Sequence, residues 1–193
     1  MRRFFGILLV ITGVALLAFV GFDYAVGSRA RDRARASWDA ITASKAIAAT
    51  GDSIDLLRLR RPLAHGAPIG RLLIPSIGLD EVVVEGVDEA QLEAGPGHVP
   101  ESVLPGEDGN AVISAHRDRH FHSLGTVTLG DTVITETLAG LRRWVVSGRR
   151  IAEAGQPAIF PTNEPVLTLT TCWPIRYVGP APDRLLLTAK PVQ

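Results

Sequence analysis

Hydrophobic and polar positions divide the chain into three regions of different period. Residues 4–22 form one apolar run without charge, in which Thr12 is the sole clearly polar side chain. As a helix rising about 1.5 Å per residue it spans roughly 28 Å, close to the hydrocarbon thickness of a bilayer, and predicts a membrane anchor. A cleaved leader is the competing reading, with Ala25-Val26-Gly27 as a small-residue cleavage site. The run exceeds a usual leader core, which favours the anchor. From Ser28 to about Thr50 the chain is rich in Ala and Arg and free of Gly and Pro, and Ala30, Ala34, Trp38 and Ile41 recur at three- to four-residue spacing. The spacing predicts a helical stalk, ended by Gly51-Asp52 and lying at the membrane surface with Trp38 in the interface. The stretch to Pro68, with Arg58, Arg60, Arg61, Pro62 and Gly66, reads as a linker.

From Ile69 the period shortens. Apolar and β-branched runs of four to eight residues alternate with Gly, Pro, Asp and Asn. They predict strands over 71–74, 79–85, 111–115, 131–137, 141–149, 166–171 and 184–189, with a hairpin turn at Leu138-Ala139-Gly140 and a short helix over 88–95. Many short strands with turn signals between them point to an all-β sandwich or barrel. The chain thus divides into a tip and anchor (1–27), a stalk and linker (28–68) and a β domain (69–193).

Composition narrows the functional classes. Apolar residues make up 46% of the chain, enough for a core, and 20 basic against 20 acidic residues leave no net charge. Phosphate binding needs a basic excess on some face, so no nucleic-acid partner is expected. One cysteine, Cys172, excludes an internal disulfide and a multi-thiolate zinc site. Arg29, Arg31, Arg33 and Arg35 after the apolar run outnumber Arg2 and Arg3 before it. A plain positive-inside count therefore places the C-terminal part in the cytoplasm.

Cys172 ends a predicted strand, just before Trp173-Pro174, where proline stops the ladder. A strand-end thiol can face a groove, but a lone cysteine is commonly a small buried hydrophobe, and the residue by itself leaves both open. A cysteine nucleophile needs a proton-transfer partner and donors for oxyanion charge. Of the five histidines, His65 lies in the linker and reads as solvated, His98 sits in a loop over 95–100, and His116 ends the apolar run 111–115, a strand end like that of Cys172. His120 and His122 follow in a loop, and no carboxylate or cysteine stands at a familiar ligand spacing, so neither metal nor other cofactor is expected. Arg184 opens the last strand, 12 residues beyond Cys172 across a Pro/Gly-rich loop, and is either returned beside the cysteine or an ordinary surface arginine next to Asp183. Ile159, Phe160, Trp173 and Ile175, on the loops flanking Cys172, are candidates to line a peptide groove or simply to pack. Thr171 is counted with them as a substrate contact.

These segments together resemble the sortase family, most closely its class D branch. Thr168-Leu169-Thr170-Thr171-Cys172 matches the T-L-x-T-C signature at every fixed position, and Ala115-His116-Arg117-Asp118 with His120, Phe121 and Leu124 resembles the histidine segment. Tyr177-Val178-Gly179-Pro180-Ala181-Pro182-Asp183-Arg184 resembles the segment ending in the family arginine, residues 71–79 the opening strand, and residues 104–110 the loop before the histidine strand. Ala115 departs from the glycine common before the histidine. The resemblance implies an eight-stranded β-barrel with short helices, exported beyond the membrane against the arginine count. It implies Cys172 as nucleophile, His116 as general acid/base and Arg184 as substrate or oxyanion support. The implied reaction cleaves an LPxTG-like sorting signal of a surface protein between Thr and Gly, and passes the acyl group to an amine, of a cell-wall precursor or a protein lysine. A hydrolase on the same scaffold and a non-catalytic peptide-binding domain remain as rivals.

Overall fold

The computed structural model describes residues 2–48 and 63–192; the expected stalk end at Gly51-Asp52 and the linker positions Arg58, Arg60, Arg61 and Pro62 lie outside them. One helix, α1 (Arg2–Ala48), carries the apolar run into the Ala/Arg-rich segment without a break at residue 27. Among the described residues it is the one helix long and apolar enough to cross a membrane, and its most apolar stretch is wholly unburied, consistent with a single-pass anchor.

Eight strands follow, β1 (Pro68–Ile74), β2 (Leu79–Glu85), β3 (Gly97–His98), β4 (Asn110–Ser114), β5 (Thr132–Thr137), β6 (Gly140–Glu153), β7 (Val166–Trp173) and β8 (Asp183–Pro191), with a short helix α2 (Glu89–Ala94) between β2 and β3. They close into a barrel in the order β1-β2-β3-β4-β7-β8-β6-β5. β2–β3 and β4–β7 are parallel pairs and the other neighbours antiparallel. Every expected strand forms, with boundaries shifted by a few residues, and the hairpin pairs Thr137 with Gly140 around Leu138-Ala139. β3 is the strand that the hydrophobic pattern misses. Two residues carry no period, and this pair is extended because β2 lies on one side and β4 on the other.

Alternation along the strands sends one set of side chains inward. Leu72 and Ile74, Ile113, Leu167 and Leu169, and Leu185 and Leu187 meet there with Phe121, Leu124 and Trp144, all fully buried or nearly so. Trp144 Nε1 donates to Thr135 Oγ1 at 2.9 Å, so the largest core side chain brings no unpaired polar atom.

His98 is not the loop histidine that the sequence suggests: it is buried on β3. Its Nδ1 lies 2.7 Å from Glu85 Oε2. Ser102 Oγ already donates to Val99 O and accepts from the Val112 amide. The proton on the other ring nitrogen therefore belongs to His98 Nε2, which donates to Val103 O at 2.9 Å and approaches Ser102 Oγ at 3.0 Å. Glu85 and His98 thus form a buried hydrogen-bonded pair tying β2 to β3. His65 is exposed, with Nδ1 3.5 Å from Asp88 Oδ2.

The stalk is where expectation and structure part. Trp38 does not sit in a membrane interface: it is 2% exposed and packs with Ala34 against Val82 and Val84 on the outer face of β2. An aromatic buries 150–250 Å² at about 25 cal/mol per Å², so docking on the barrel gains several kcal/mol that a lone surface helix forgoes. Arg31 Nε and Nη2 donate to the two Glu81 oxygens at 2.9 and 2.5 Å, and Arg35 Nη2 reaches Asp80 Oδ1 at 3.2 Å. Gly27 lets the helix approach the Arg119–Glu93 ion pair, since a Cβ there would lie 2.5 Å from Arg119 Nη1.

Asp80 titrates below the usual carboxylate range because Arg71 donates to both its oxygens, with Arg35 adding to the effect. Burial pushes Glu81 up, but the hydrogen bond and charge of His120 and the Arg31 guanidinium outweigh it and leave Glu81 lowered too. A lowered folded pKa stabilises above the unfolded value, about 4, and that stability fades as pH falls through the folded value. Docking of α1 is therefore expected to loosen below about pH 4 and hold at neutrality. Protease accessibility of residues 28–44 across a pH series checks this, and cleavage independent of pH would contradict it.

Candidate active site

β4 and β7 run parallel, with Ser114 beside Thr170 as their last paired residues. The Ala115 amide donates to Thr170 O at 3.2 Å, and Thr171 Oγ1 donates to Ala115 O at 2.7 Å, carrying the alignment one residue further. The next residues in step are His116 and Cys172. On the other flank of β7, Cys172 stands directly opposite Arg184 of β8. Such antiparallel partners have Cα atoms about 4.5–5.5 Å apart.

Alternation then decides the face. Ala115, Leu169 and Leu185 belong to the interior core. Their neighbours Ser114 and His116, Thr170 and Cys172, and Arg184 and Leu186 therefore turn outward. Cys172 and Arg184 are thus paired on β7 and β8, and His116 follows two residues beyond the end of β4, so the three gather at one end of the barrel. Cys172 is partly exposed, unlike the fully buried thiol of the structural alternative.

The other expected residues scatter. Thr171, counted as a substrate contact, is 0% exposed on the inner face, and its hydroxyl donates to Ala115 O. It secures the end of β4 beside His116 instead. Trp173 also points away from the Cys172 face, packing against the core beneath the Arg149 guanidinium, 5.4 Å from the ring centroid. A Cβ at Gly125 would lie 3.1 Å from both Trp173 and Ile175, so these two pack onto the β4/β5 loop. Ile159 is half-buried and Phe160 exposed on the β6/β7 loop, which Asn110 Nδ2 holds through Ala158 O.

Three features escaped the sequence reading. Glu89 of α2 places Oε1 3.3 Å from His116 Nε2, within ion-pair range although the two are not aligned as a hydrogen bond. Glu93 joins them, bringing the three ligand-type atoms within 4.8 Å of one another; His116, His120 and His122 do not form such a group among the described residues. His120 instead faces Glu81 at 3.5 Å, and His122 Nδ1 lies 2.7 Å from Arg119 O. Arg117, next to His116, donates to the carbonyls of Pro174, Tyr177 and Gly179 at 3.3, 3.1 and 2.7 Å and lies over the Tyr177 ring. One guanidinium thus fixes the β7/β8 loop that begins beyond Cys172. Its adjacency to His116 was the available signal, but its partners are some 60 residues away.

Residues 72–192 match the Sortase domain family model. Sortase D of Bacillus subtilis (strain 168) is 35% identical over 129 residues, 66% of this chain and 65% of that protein, so the match spans slightly less than two thirds of the relative's length. Among solved structures, a Clostridium perfringens Sortase D5 transpeptidase superposes with a TM-score of 0.68 at 20% identity, covering 88% of this chain and 99% of that one, a likeness of fold. Sortase C1 of Streptococcus suis superposes at 0.60 with 28% identity, covering 72% and 76%. With the barrel order, the T-L-x-T-C strand end and the domain match in agreement, this chain belongs to the sortase family.

Proposed function

We propose that the chain is a membrane-anchored cysteine transpeptidase acting on an LPxTG-like sorting signal at the C-terminal end of surface proteins. The observation that carries this is the gathering of His116, Cys172 and Arg184 at one end of the adjacent strands β4, β7 and β8. The Cys172 thiolate attacks the Thr carbonyl carbon of the Thr–Gly bond. Arg184, one ladder step away, offers N–H donors to the oxyanion or the substrate backbone. The C–N bond breaks as His116 gives its proton to the departing glycine amine, leaving a thioester on Cys172. An acceptor amine, of a cell-wall precursor or a protein lysine, then attacks the thioester carbonyl. It loses its proton to His116, the C–S bond breaks, and a new amide and the free thiolate result.

In this reading residues 1–27 form the cytoplasmic tip and anchor, 28–68 the stalk and linker, and 69–193 the catalytic domain on the outer side. The arginine count argues otherwise, and the outer placement rests on the family membership instead of on the charges. Ile159 and Phe160 are left as groove candidates.

The test is incubation of the protein with an LPxTG peptide and a mixed amine pool, read by product mass. Amide products with Thr at the new bond are expected. Hydrolysed peptide alone would point to the hydrolase, and uncleaved peptide would end both readings. His116→Ala is expected to lower kcat by about 10²–10⁴-fold, the usual worth of a positioned proton donor. Arg184→Lys is expected to recover only part of an Arg184→Ala loss, because an ammonium lacks the planar fork. Equal rates for wild type and either alanine variant would remove that residue from the mechanism.

A further inference from the structure

The order of contacts along α1 orients the barrel. Gly27 meets Arg119 and Glu93, Arg31 meets Glu81, and Trp38 meets Val82 and Val84 with Leu138 alongside. The β4/β5 loop, which follows His116, therefore faces the early part of the helix, and the β5–β6 hairpin at the opposite barrel end faces the late part. A cavity of about 750 Å³ between α1 and this loop is lined by Val20 and Tyr24 as well as His120, His122 and Ser123. Val20 belongs to the apolar run itself. Five residues separate Phe22, the end of that run, from Gly27, a rise of about 8 Å. The polar layer of a bilayer is about 5–8 Å deep on each side. The catalytic end of the barrel thus stands level with the headgroups of the membrane that α1 enters.

The β7/β8 loop opens at this same end, since it leaves β7 beyond Cys172. Arg117 draws the carbonyls of Pro174, Tyr177 and Gly179 inward, which turns the intervening side chains out. Val178 is 99% exposed, more than any large hydrophobic side chain of the apolar run, and its neighbours Tyr177, at 48%, and Arg176 are exposed beside it. An apolar tip flanked by an aromatic and a cation is the pattern of a segment seated at a bilayer interface, the cation meeting anionic headgroups.

We infer that the Arg176-Tyr177-Val178 tip of the β7/β8 loop docks on an anionic lipid surface, so that the Cys172 end of the barrel faces the headgroup layer. This rests on the anchor reading of α1. The consequence for the reaction is a preference for peptide segments tethered to the same membrane.

The test uses the full chain with Cys172→Ala, reconstituted in phosphatidylcholine:phosphatidylglycerol vesicles, with a bimane label on a single introduced cysteine. Three labelled variants are compared, Val178→Cys, Leu141→Cys and Leu17→Cys, against lipids spin-labelled in the headgroup or deep in the acyl chain. Leu141 is 63% exposed on β6 beside the hairpin, at the far end of the barrel. The expected result is deep quenching at 17, headgroup quenching at 178 of at least about twofold, and none at 141. Headgroup quenching at 178 is expected to weaken when phosphatidylglycerol is omitted. Deep quenching at 17 with 178 silent would overturn the docking and leave the anchor intact. That outcome would return Val178 to contact with a peptide. A silent label at 17 would overturn the anchor, and the docking with it. Headgroup quenching at 141 would reverse the orientation.

Discussion

Replacing Cys172 by alanine is expected to abolish both cleavage and transfer, by on the order of 10⁴-fold or more, while leaving the barrel folded. Losing the nucleophile removes the covalent step itself, and the groups that remain act as a unit around it, so little rate survives. The fold should survive because Cys172 is a partly exposed residue at the end of β7, outside the interior cluster of Leu167, Leu169, Leu185 and Leu187. Intact-protein mass spectrometry after incubation with a sorting-signal peptide should show an acyl adduct on the wild type, lost with hydroxylamine and missing from Cys172→Ala. A variant that still makes amide product would reject Cys172 as the nucleophile.

The largest effect on stability is expected at His98. The Glu85 and His98 side chains are 8% and 3% exposed and face each other at 2.7 Å. His98→Ala leaves a carboxylate buried without its partner, which costs about 3–5 kcal/mol. Against a total near 5–15 kcal/mol for a domain, that is a drop of many degrees in Tm. Removing both partners at once is a different matter: Glu85→Leu with His98→Leu should recover much of the loss, because the penalty lies in the buried group left without its partner. Urea denaturation of the single and double variants gives the coupling directly. A single-variant loss below about 1 kcal/mol would show that water reaches Glu85 and that the pair is not a structural tie. The same substitution leaves His116, Cys172 and Arg184 in place, so activity per folded molecule should hold while the folded fraction falls.

These two residues illustrate what a linear pattern can and cannot carry. Cys172 was legible because its signals are local: a β-branched run, a following Trp-Pro that stops the strand, and a signature five residues long. His116 follows an apolar run and Arg184 precedes one, but position alone left Arg184 open between a site residue and an ordinary surface arginine, and the family resemblance supplied both roles. His98 was not legible. Its two-residue strand has no period, and its partners come from β2, from the β3/β4 loop and, through Ser102, from the Val112 amide of β4. Thr171 and Thr170 differ by one position and by everything that follows from it. The signature contains Thr171 as a fixed residue, but the pleat turns it inward onto Ala115 O, whereas Thr170 shares the Cys172 face with its buried hydroxyl unpartnered.

The linear pattern carried the anchor-like apolar helix, the strands and their approximate ends, and the hairpin, whereas Cys172, His116 and Arg184 came forward together only through the resemblance of their segments to one family. Periodicity and turn chemistry fix the helix, the strands and the hairpin within a few residues of chain. Tertiary structure alone decided that Trp38 and the stalk arginines lie against β2 and not against lipid, that Glu89 stands at His116, and that Arg117 holds the loop beyond Cys172. Those choices depend on which surfaces meet after the barrel closes, and side chains separated by dozens of residues leave no periodic trace of the partner they will find.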